Sequence, residues 1–455
     1  MEFRIKISKY SKRGHGLGTL QKTPNSLPIV AEVVGTVVGD TVLIELGKKK
    51  KKIYSATLKK IVTPSGDRIL PRCKHVGTCG GCMWQQKDYR VQLKTKALQL
   101  EKLFNKKPLP IIPAEEPWNY RNKMEYTFSQ NKEGKKFLGL IIARSKGRVL
   151  NLEECHLTPP WFIQVLKAVR HWWEASSLKA YHVYSDQGTL RTLTLRQGKR
   201  TTDKMVFITL SGNPDFMIDK TAIESFKKVI LDALPEQSPS IFLRIQRIAK
   251  KSPTIFYEIH LHGPDLIEEV LHVNGRELTF KISPDSFFQP NSTQGEKLYT
   301  EALKLADPQP GDTLFDLYCG TATFGIVFAP YVDKVVGIES NSYAICDAEL
   351  NIKQNNLSNI TLYRGDVGRL LSQFGQTVDI ALIDPPRSGL DPRAMKNLIK
   401  LSPKKIVYIS CNPLTQSQNI SELTASGYTL KALRPVDQFP HTHHLENIAV
   451  LNRSQ

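Results

Sequence analysis

The chain of 455 residues lacks any run of 18 apolar residues, and its N-terminus, Met1-Glu-Phe-Arg-Ile-Lys6, carries no apolar signal core. A membrane-spanning helix and a cleaved leader are therefore not expected. Cysteine is scarce: seven residues without a secretion signal argue against a disulfide framework and for a reducing cytoplasm. No internal repeat or low-complexity tract is present, which excludes a solenoid. Acid is in deficit, with 43 Asp plus Glu against 63 Lys plus Arg and a net charge of +20. A globular protein this basic usually meets a polyanion.

What is present suffices for several cores. Hydrophobic residues make up 40% of the chain, and the length points to roughly three domains. Residues 1–62 read as short strands, Phe3–Ser8, Ile29–Val33, Thr41–Leu46 and Tyr54–Val62, with turns at Val38-Gly-Asp40 and Gly47. That pattern predicts a small barrel of OB type, a fold often used on nucleic acid. Lys48–Lys52 is an unbroken lysine run; it serves either as a solvated hairpin tip or as a phosphate contact. Residues 63–275 predict an α+β central domain. Val91–Phe104 has helical spacing, and Leu190–Arg196, Val206–Leu210 and Phe256–Leu261 alternate as antiparallel strands. Trp172 and Trp173 are expected in its core. From 276 to 455 the apolar runs Thr313–Leu317, Lys334–Ile338, Ile360–Tyr363, Ile380–Ile383 and Ile406–Ile409 alternate with helical stretches. This is the signature of an α/β, Rossmann-like, doubly wound sheet.

Ligands of such sheets lie at the carboxyl ends of the strands. Asp316, Glu339, Asp366 and Asp384 stand at four successive strand ends. Each alone is an ordinary cap or loop acid; together they predict an adenosyl site. The turn after the first strand, Gly320-Thr-Ala-Thr-Phe-Gly325, has two glycines where a dinucleotide turn has three. S-adenosylmethionine, which has no phosphate, suits that looser turn.

Cys411 lies in Tyr408-Ile-Ser-Cys-Asn-Pro413 and Glu446 in His443-His-Leu-Glu446, after Asp384-Pro-Pro-Arg-Ser-Gly-Leu390. A thiol after an apolar strand, with a carboxylate on a later one, suits attack on a pyrimidine ring. Uracil C5 takes a methyl group only after a thiolate has added to C6, and the C5 proton must then leave to a base. Cys411 and Glu446 fit nucleophile and base. An ordinary thiol is only roughly 3% ionised at pH 7, so its surroundings must activate it, and Arg387 is a candidate helper. Cys319 and Cys346 read as buried, inert thiols. Cys73, Cys79 and Cys82 form C-x5-C-x2-C, with Cys155 further on. Four thiolates hold zinc or an iron–sulfur cluster. One C-x2-C pair rather than two favours the cluster, while His75 and His156 keep zinc open.

These residues resemble the bacterial RNA uracil-C5 methyltransferases, in particular the 23S ribosomal RNA branch with a TRAM barrel and a [4Fe–4S] cluster. The resemblance rests on Ser283-Pro-Asp-Ser-Phe-Phe-Gln-Pro-Asn291 with Gln294, Asp316-Leu-Tyr-Cys-Gly320, Asp384-Pro-Pro-Arg-Ser-Gly-Leu390, Ser410-Cys-Asn-Pro413, Tyr120-Arg-Asn-Lys123 and His444-Leu-Glu446. It implies Gln289, Tyr318, Thr323, Glu339, Asp366 and Asp384 as donor contacts, and Cys411 and Glu446 as catalytic residues. Cys73, Cys79, Cys82 and Cys155 become the cluster ligands, large-subunit ribosomal RNA the partner, and a monomer the expected state. Two departures stand out. Ala322 replaces a usual glycine, and Gln418-Asn419 replaces an Arg-Asp pair, a loss of charge expected to weaken a local helix or an RNA contact. Rival readings are the same chemistry on transfer RNA, a non-catalytic RNA-binding assembly factor, and an adenine amino-methylating enzyme. The last needs no cysteine and wants an aromatic residue where Arg387 stands.

Overall fold

The computed structural model describes residues 2–21, 27–248, 254–375 and 378–454. The N-terminal strands β1 (Glu2–Tyr10), β2 (Gly16–Leu20), β3 (Ile29–Val33), β4 (Thr41–Lys50) and β5 (Ile53–Thr63) close into a barrel of order β1-β2-β3-β5-β4. Alternation places Ile5, Ile7, Ala31, Val33, Val42 and Ile44 inside. Four of these strands are legible in the sequence. The fifth, β2, is Gly-Leu-Gly-Thr-Leu, whose glycines carry little strand propensity. The lysine run forms the end of β4 and a tip where Lys51 turns with φ 55°.

Helix α1 (Tyr89–Phe104) starts at the Asp88 cap, which accepts a hydrogen bond from the Arg90 amide. It is followed by β6 (Lys123–Gln130), β7 (Lys136–Ile141), β8 (Val149–Asn151), α2 (Pro160–Ala175), β9 (Leu190–Gln197), β10 (Lys204–Ser211), α3 (Lys220–Ala233), β11 (Ser240–Arg247) and β12 (Ile255–His262). The strands make one sheet, β12-β11-β10-β9-β6-β7-β8. Helices α2 and α3 cover one face, with Trp172 and Trp173 buried in that core as expected. The three expected strands pair antiparallel, β9 with β10 and β12 with β11; β11 itself was not foreseen, and it runs parallel to β10 because α3 carries the chain back across the sheet between them.

Strands β13 (Ile267–Val273) and β14 (Arg276–Ile282) form a hairpin paired along its whole length. A division at 275/276 cuts its turn, and Ile267, Leu271 and Val273 pack into the C-terminal core. The C-terminal layers then follow as α4 (Ser292–Ala306), β15 (Thr313–Leu317), α5 (Thr323–Phe328), β16 (Lys334–Glu339), α6 (Ser342–Gln354), β17 (Ile360–Arg364), α7 (Val367–Leu370), β18 (Ile380–Ile383), α8 (Pro392–Leu401), β19 (Lys405–Ser410), α9 (Pro413–Ala425), β20 (Tyr428–Val436) and β21 (Glu446–Arg453). Their sheet order is β17-β16-β15-β18-β19-β21-β20. The first five strands are parallel, and β21 slots antiparallel between β19 and β20. The winding direction reverses between β15 and β18, which opens the crevice where such sheets bind ligands. Among the described residues, no helix is long and apolar enough to cross a membrane.

Candidate active site at the carboxyl ends of the sheet

The turn after β15 passes through the left-handed region at Tyr318, Gly320 and Ala322, with φ of 64°, 54° and 58°. The position of Ala322 explains why glycine is common there, and its methyl group is buried in the C-terminal core. Two acids hold this turn. Asp316 Oδ2 accepts from the Gly325 amide at 2.8 Å, and Glu339 Oε2 accepts from the Gly320 amide at 3.1 Å. Glu339 Oε1 also accepts from the Ser340 and Asn341 amides. Burial pushes the Asp316 carboxyl up to about 7. Tyr318 is half-buried; burial, then the charges of Asp391, Asp366 and Glu339, raise its hydroxyl pKa. Asp366 is exposed and caps α7, accepting from the Arg369 amide at 2.8 Å. Thr323 begins α5, with its hydroxyl 3.1 Å from that of Thr321. Gln289 is committed elsewhere: its Oε1 accepts from Gln438 Nε2 at 3.0 Å.

Cys411 and Glu446 come together through the register of β19 and β21. Ser410 pairs with Asn447, so one further step sets Cys411 opposite Glu446, and directly opposed side chains share a face. Glu446 is fully buried, and that burial, followed by the Asp384 charge, raises its carboxyl well above the ordinary range. Asp384, at the end of β18, is pushed up to about 7 by burial. Burial lifts the Cys411 thiol to about 11, Glu446 and Asp384 add to the rise, and Arg387 opposes it. The thiol is thus neutral in the free protein. Tyr299 of α4 feels the Asp384, Glu446 and Asp316 charges together.

Sequence reasoning left Arg387 unplaced. Its guanidinium donates to His444 Nδ1 at 3.1 Å, and its carbonyl accepts from Asn412 Nδ2 at 2.8 Å, beside Cys411. Burial, His443 and Arg387 push His444 down to about 3, so the ring is neutral and can accept. The loop before Glu446 was missed as well. Lys96 Nζ of α1 meets Asp437 Oδ1 at 2.5 Å, with both side chains fully buried. Tyr89 donates to Asp437 Oδ2 at 2.8 Å, Gln294 to the Asp437 carbonyl, and Tyr120 to the Pro440 carbonyl. Asn291 Nδ2 donates to the Gln438 carbonyl, and Asn122 ties the Gln289 carbonyl to Ser292. The Tyr120–Lys123 and Ser283–Gln294 motifs therefore clamp the segment that delivers Glu446. The sequence signal for this was their polar character beside aromatic residues.

Cys73, Cys79, Cys82 and Cys155 all line one cavity of about 150 Å³. Burial pushes the Cys73 and Cys82 thiols up to about 11 and about 12, with the other thiols adding to both. Among the described residues, no group of three His, Cys, Asp or Glu stands close enough to hold a single metal ion. His75 Nε2 accepts from the Glu153 amide at 3.1 Å, which removes it as a zinc ligand. Met83 and Trp84, next to Cys82, donate to the His441 carbonyl at 3.1 and 3.0 Å. The cysteine loop is thereby joined to the Glu446 segment. Two expectations need correction. Cys346 is exposed on α6, since its position faces away from the sheet, whereas Cys319 is buried as expected. The Gln418-Asn419 departure leaves α9 intact: Asn419 Oδ1 accepts from the Leu390 amide at 3.0 Å and the Tyr408 hydroxyl at 2.8 Å, so a neutral oxygen suffices there.

A profile of the family described as tRNA (Uracil-5-)-methyltransferase matches residues 218–373 and 368–454. The chain belongs to that family. It is an RNA (uracil-C5) methyltransferase. The chain is 47% identical to an uncharacterized RNA methyltransferase of Protochlamydia amoebophila, over 92% of this chain and 99% of that protein. One from Caldanaerobacter subterraneus is 32% identical, over 99% and 98%. A crystal structure of the Pyrococcus abyssi tRNA (uracil-54, C5)-methyltransferase in complex with S-adenosyl-L-homocysteine superposes with a TM-score of 0.75 at 26% identity. It covers 98% of this chain and 99% of its own. The uracil-C5 methyltransferase fold is thus an α/β methyltransferase sheet with an N-terminal β-barrel.

Proposed function

We propose that Cys411 is the nucleophile and Glu446 the base of an S-adenosylmethionine-dependent methylation of uridine C5 in large-subunit ribosomal RNA. The observation that carries the roles is the β19–β21 register, which faces the thiol with a buried carboxyl. The target uridine leaves its stack to enter the crevice. The Cys411 thiol loses its proton and the sulfur adds to C6, placing the electron pair on C5. C5 then takes the methyl group, Glu446 removes the C5 proton, and the Cys411–C6 bond breaks to restore the ring. Gln289, Tyr318, Thr323, Glu339, Asp366 and Asp384 would hold the donor, which would supply an electrophilic methyl on a cationic sulfur, a charge that favours the ionised forms of Cys411, Asp384 and Glu446. The Asp384 charge adds to the rise at Glu446, and Arg387 favours the ionised thiol. The open turn at Gly320, where an added Cβ meets nothing within 4 Å, fits a donor lying close to backbone.

Cys73, Cys79, Cys82 and Cys155 would hold a [4Fe–4S] cluster. Four thiols spread around one cavity suit a polynuclear group better than one zinc ion, which needs Zn–S contacts of about 2.3 Å. Its part here is structural, tying the central sheet to His441. Residues 1–62 serve as the RNA-docking TRAM barrel, 63–275 as the central domain and 276–455 as the catalytic domain, with the β13–β14 hairpin packed on the last. By the family resemblance alone, the barrel and the four-cysteine loop favour ribosomal RNA. Transfer RNA is the second reading, supported by the substrate named for the Pyrococcus abyssi enzyme.

The test mixes anaerobically purified protein and S-adenosylmethionine with 5-fluorouridine-substituted ribosomal RNA, and separately with substituted transfer RNA. A denaturation-stable adduct that Cys411→Ala abolishes, while donor binding persists, is expected with ribosomal RNA. An adduct with transfer RNA alone reverses the substrate assignment. No adduct with either, from protein that binds the donor, rejects the Cys411–Glu446 chemistry in favour of an assembly factor.

A further inference from the structure

One cavity lies outside the methyl-donor crevice. It measures about 530 Å³ and is walled by Arg13 and His15 of the barrel, Met83 of the cysteine loop, Glu125 of β6, Arg144 after β7, and His443. Its volume falls in the range of small-molecule pockets, which are mostly apolar with a few placed polar groups. Leu140, Ile141, Ile142, Ala143 and Met83 supply the apolar part of the lining. Two polar groups in it are unmet. His15 is only 5% exposed, and its Nδ1 lies 3.4 Å from Glu32 Oε1. Its Nε2 has no hydrogen-bond partner among the described residues, nor has Nδ1 of His443.

We propose that this cleft is a second nucleotide pocket, seating an unpaired nucleotide that flanks the target uridine on the same RNA strand. The inference rests on the Cys411–Glu446 reading. A polymer with one residue at Cys411 must bring its neighbours past the segment holding His443, three positions before Glu446. Unstacked bases next to a flipped one need a new surface. Arg144 is committed to Glu32, through its carbonyl at 2.7 Å and its carboxylate at 3.6 Å. Arg13 is the cation left for a phosphate. The pocket also touches the chemistry. The His443 ring lies 4.1 Å from that of His444, which accepts from Arg387. On the barrel side Gly14 has φ 77°, and a Cβ there would lie 2.7 Å from His443 Cβ, so glycine alone lets the barrel close on this residue. His443 thus senses the barrel, the cleft and the active site.

The test uses short substrate RNAs in which each neighbour of the methylated uridine is replaced in turn by an abasic residue, with wild type and His15→Phe compared by kcat/KM. Wild type is expected to lose tenfold or more at one flanking position. His15→Phe should show a similar loss on intact RNA and little further loss at that position, while abasic sites elsewhere act on both alike. Additive losses at every position, or no sensitive position in wild type, overturn the pocket. A second measurement does not depend on the variant folding: 4-thiouridine at the sensitive position of wild-type substrate should crosslink to Met83 or His443. Crosslinks confined to other segments reject the proposal. Wild type that forms no 5-methyluridine on intact RNA refutes the Cys411–Glu446 reading itself, and this inference with it.

Discussion

Lys96 and Asp437 are separated by 341 positions in sequence, yet their side chains meet with no exposure to solvent. Burial pushes the Lys96 ammonium downward, with Asp437 opposing the shift, so the pair survives only because each charge answers the other. Removing one partner from a buried pair costs roughly 3–5 kcal/mol, since the survivor stays buried and uncompensated. Lys96→Met would leave the Asp437 carboxylate with the Tyr89 hydroxyl as its side-chain donor. Asp437→Asn would leave the ammonium with the Phe439 carbonyl at 3.1 Å. Because Asp437 begins the segment ending at Glu446, either change should also misplace the base. A displacement of about 1 Å in a reacting group can slow chemistry by roughly a hundredfold. The double variant Lys96→Met/Asp437→Asn removes both charges and should recover most of both losses. Hydrogen exchange across residues 437–446 reports local opening, and single-turnover methylation reports the base. Single variants that exchange and react within twofold of wild type would refute the reasoning. So would a double variant whose losses simply add.

Three further outcomes follow from the site. The folded-state pKa of Asp316, about 7, lies above its unfolded value, so its stabilising contribution is full below about pH 4 and is lost as pH rises through 7. In donor-free protein, Asp316→Asn should gain on wild type across that window by something on the order of 2–4 kcal/mol; parallel thermal-stability curves would reject it. Asn419→Ala strands the Leu390 amide and should cost about 1–3 kcal/mol while slowing methylation, because that loop carries Arg387; unchanged melting and rate would show that water replaces the bond. Arg387→Gln removes the cation opposing the rise at both Cys411 and Glu446, so the acidic limb of the pH profile of kcat/KM should move upward. A limb that stays put would mean Arg387 acts on RNA alone.

The parallel strands were readable because each is a short apolar run ending in a polar residue at the crevice, as Glu339 after Ile338 and Asp384 after Ile383 illustrate. Cys411 and Glu446 could be proposed as a pair because the chemistry requires a thiol and a distant base. Strand β2 was not, because its glycines serve close packing rather than propensity. The buried Lys96 could not be anticipated either: a lysine on a helix is almost always solvated, and only the fold brings Asp437 to it. Arg387 could be named but not placed, since its partner is one of two adjacent histidines and nothing local distinguishes His444 from His443.

Strand β21 is made after β20 but lies between β20 and β19. Synthesis runs from the N-terminus at roughly 5–20 residues per second, so Cys411, the proposed nucleophile, emerges before the strand that supplies Glu446, its proposed base. Until β21 inserts, β19 presents an open edge, the kind of template that recruits stray strands. On the proposed roles, the nascent protein therefore holds a thiol without a partner, unable to release any pyrimidine it attacks. Threading the last strand into the sheet seals the edge and arms the enzyme in the same motion.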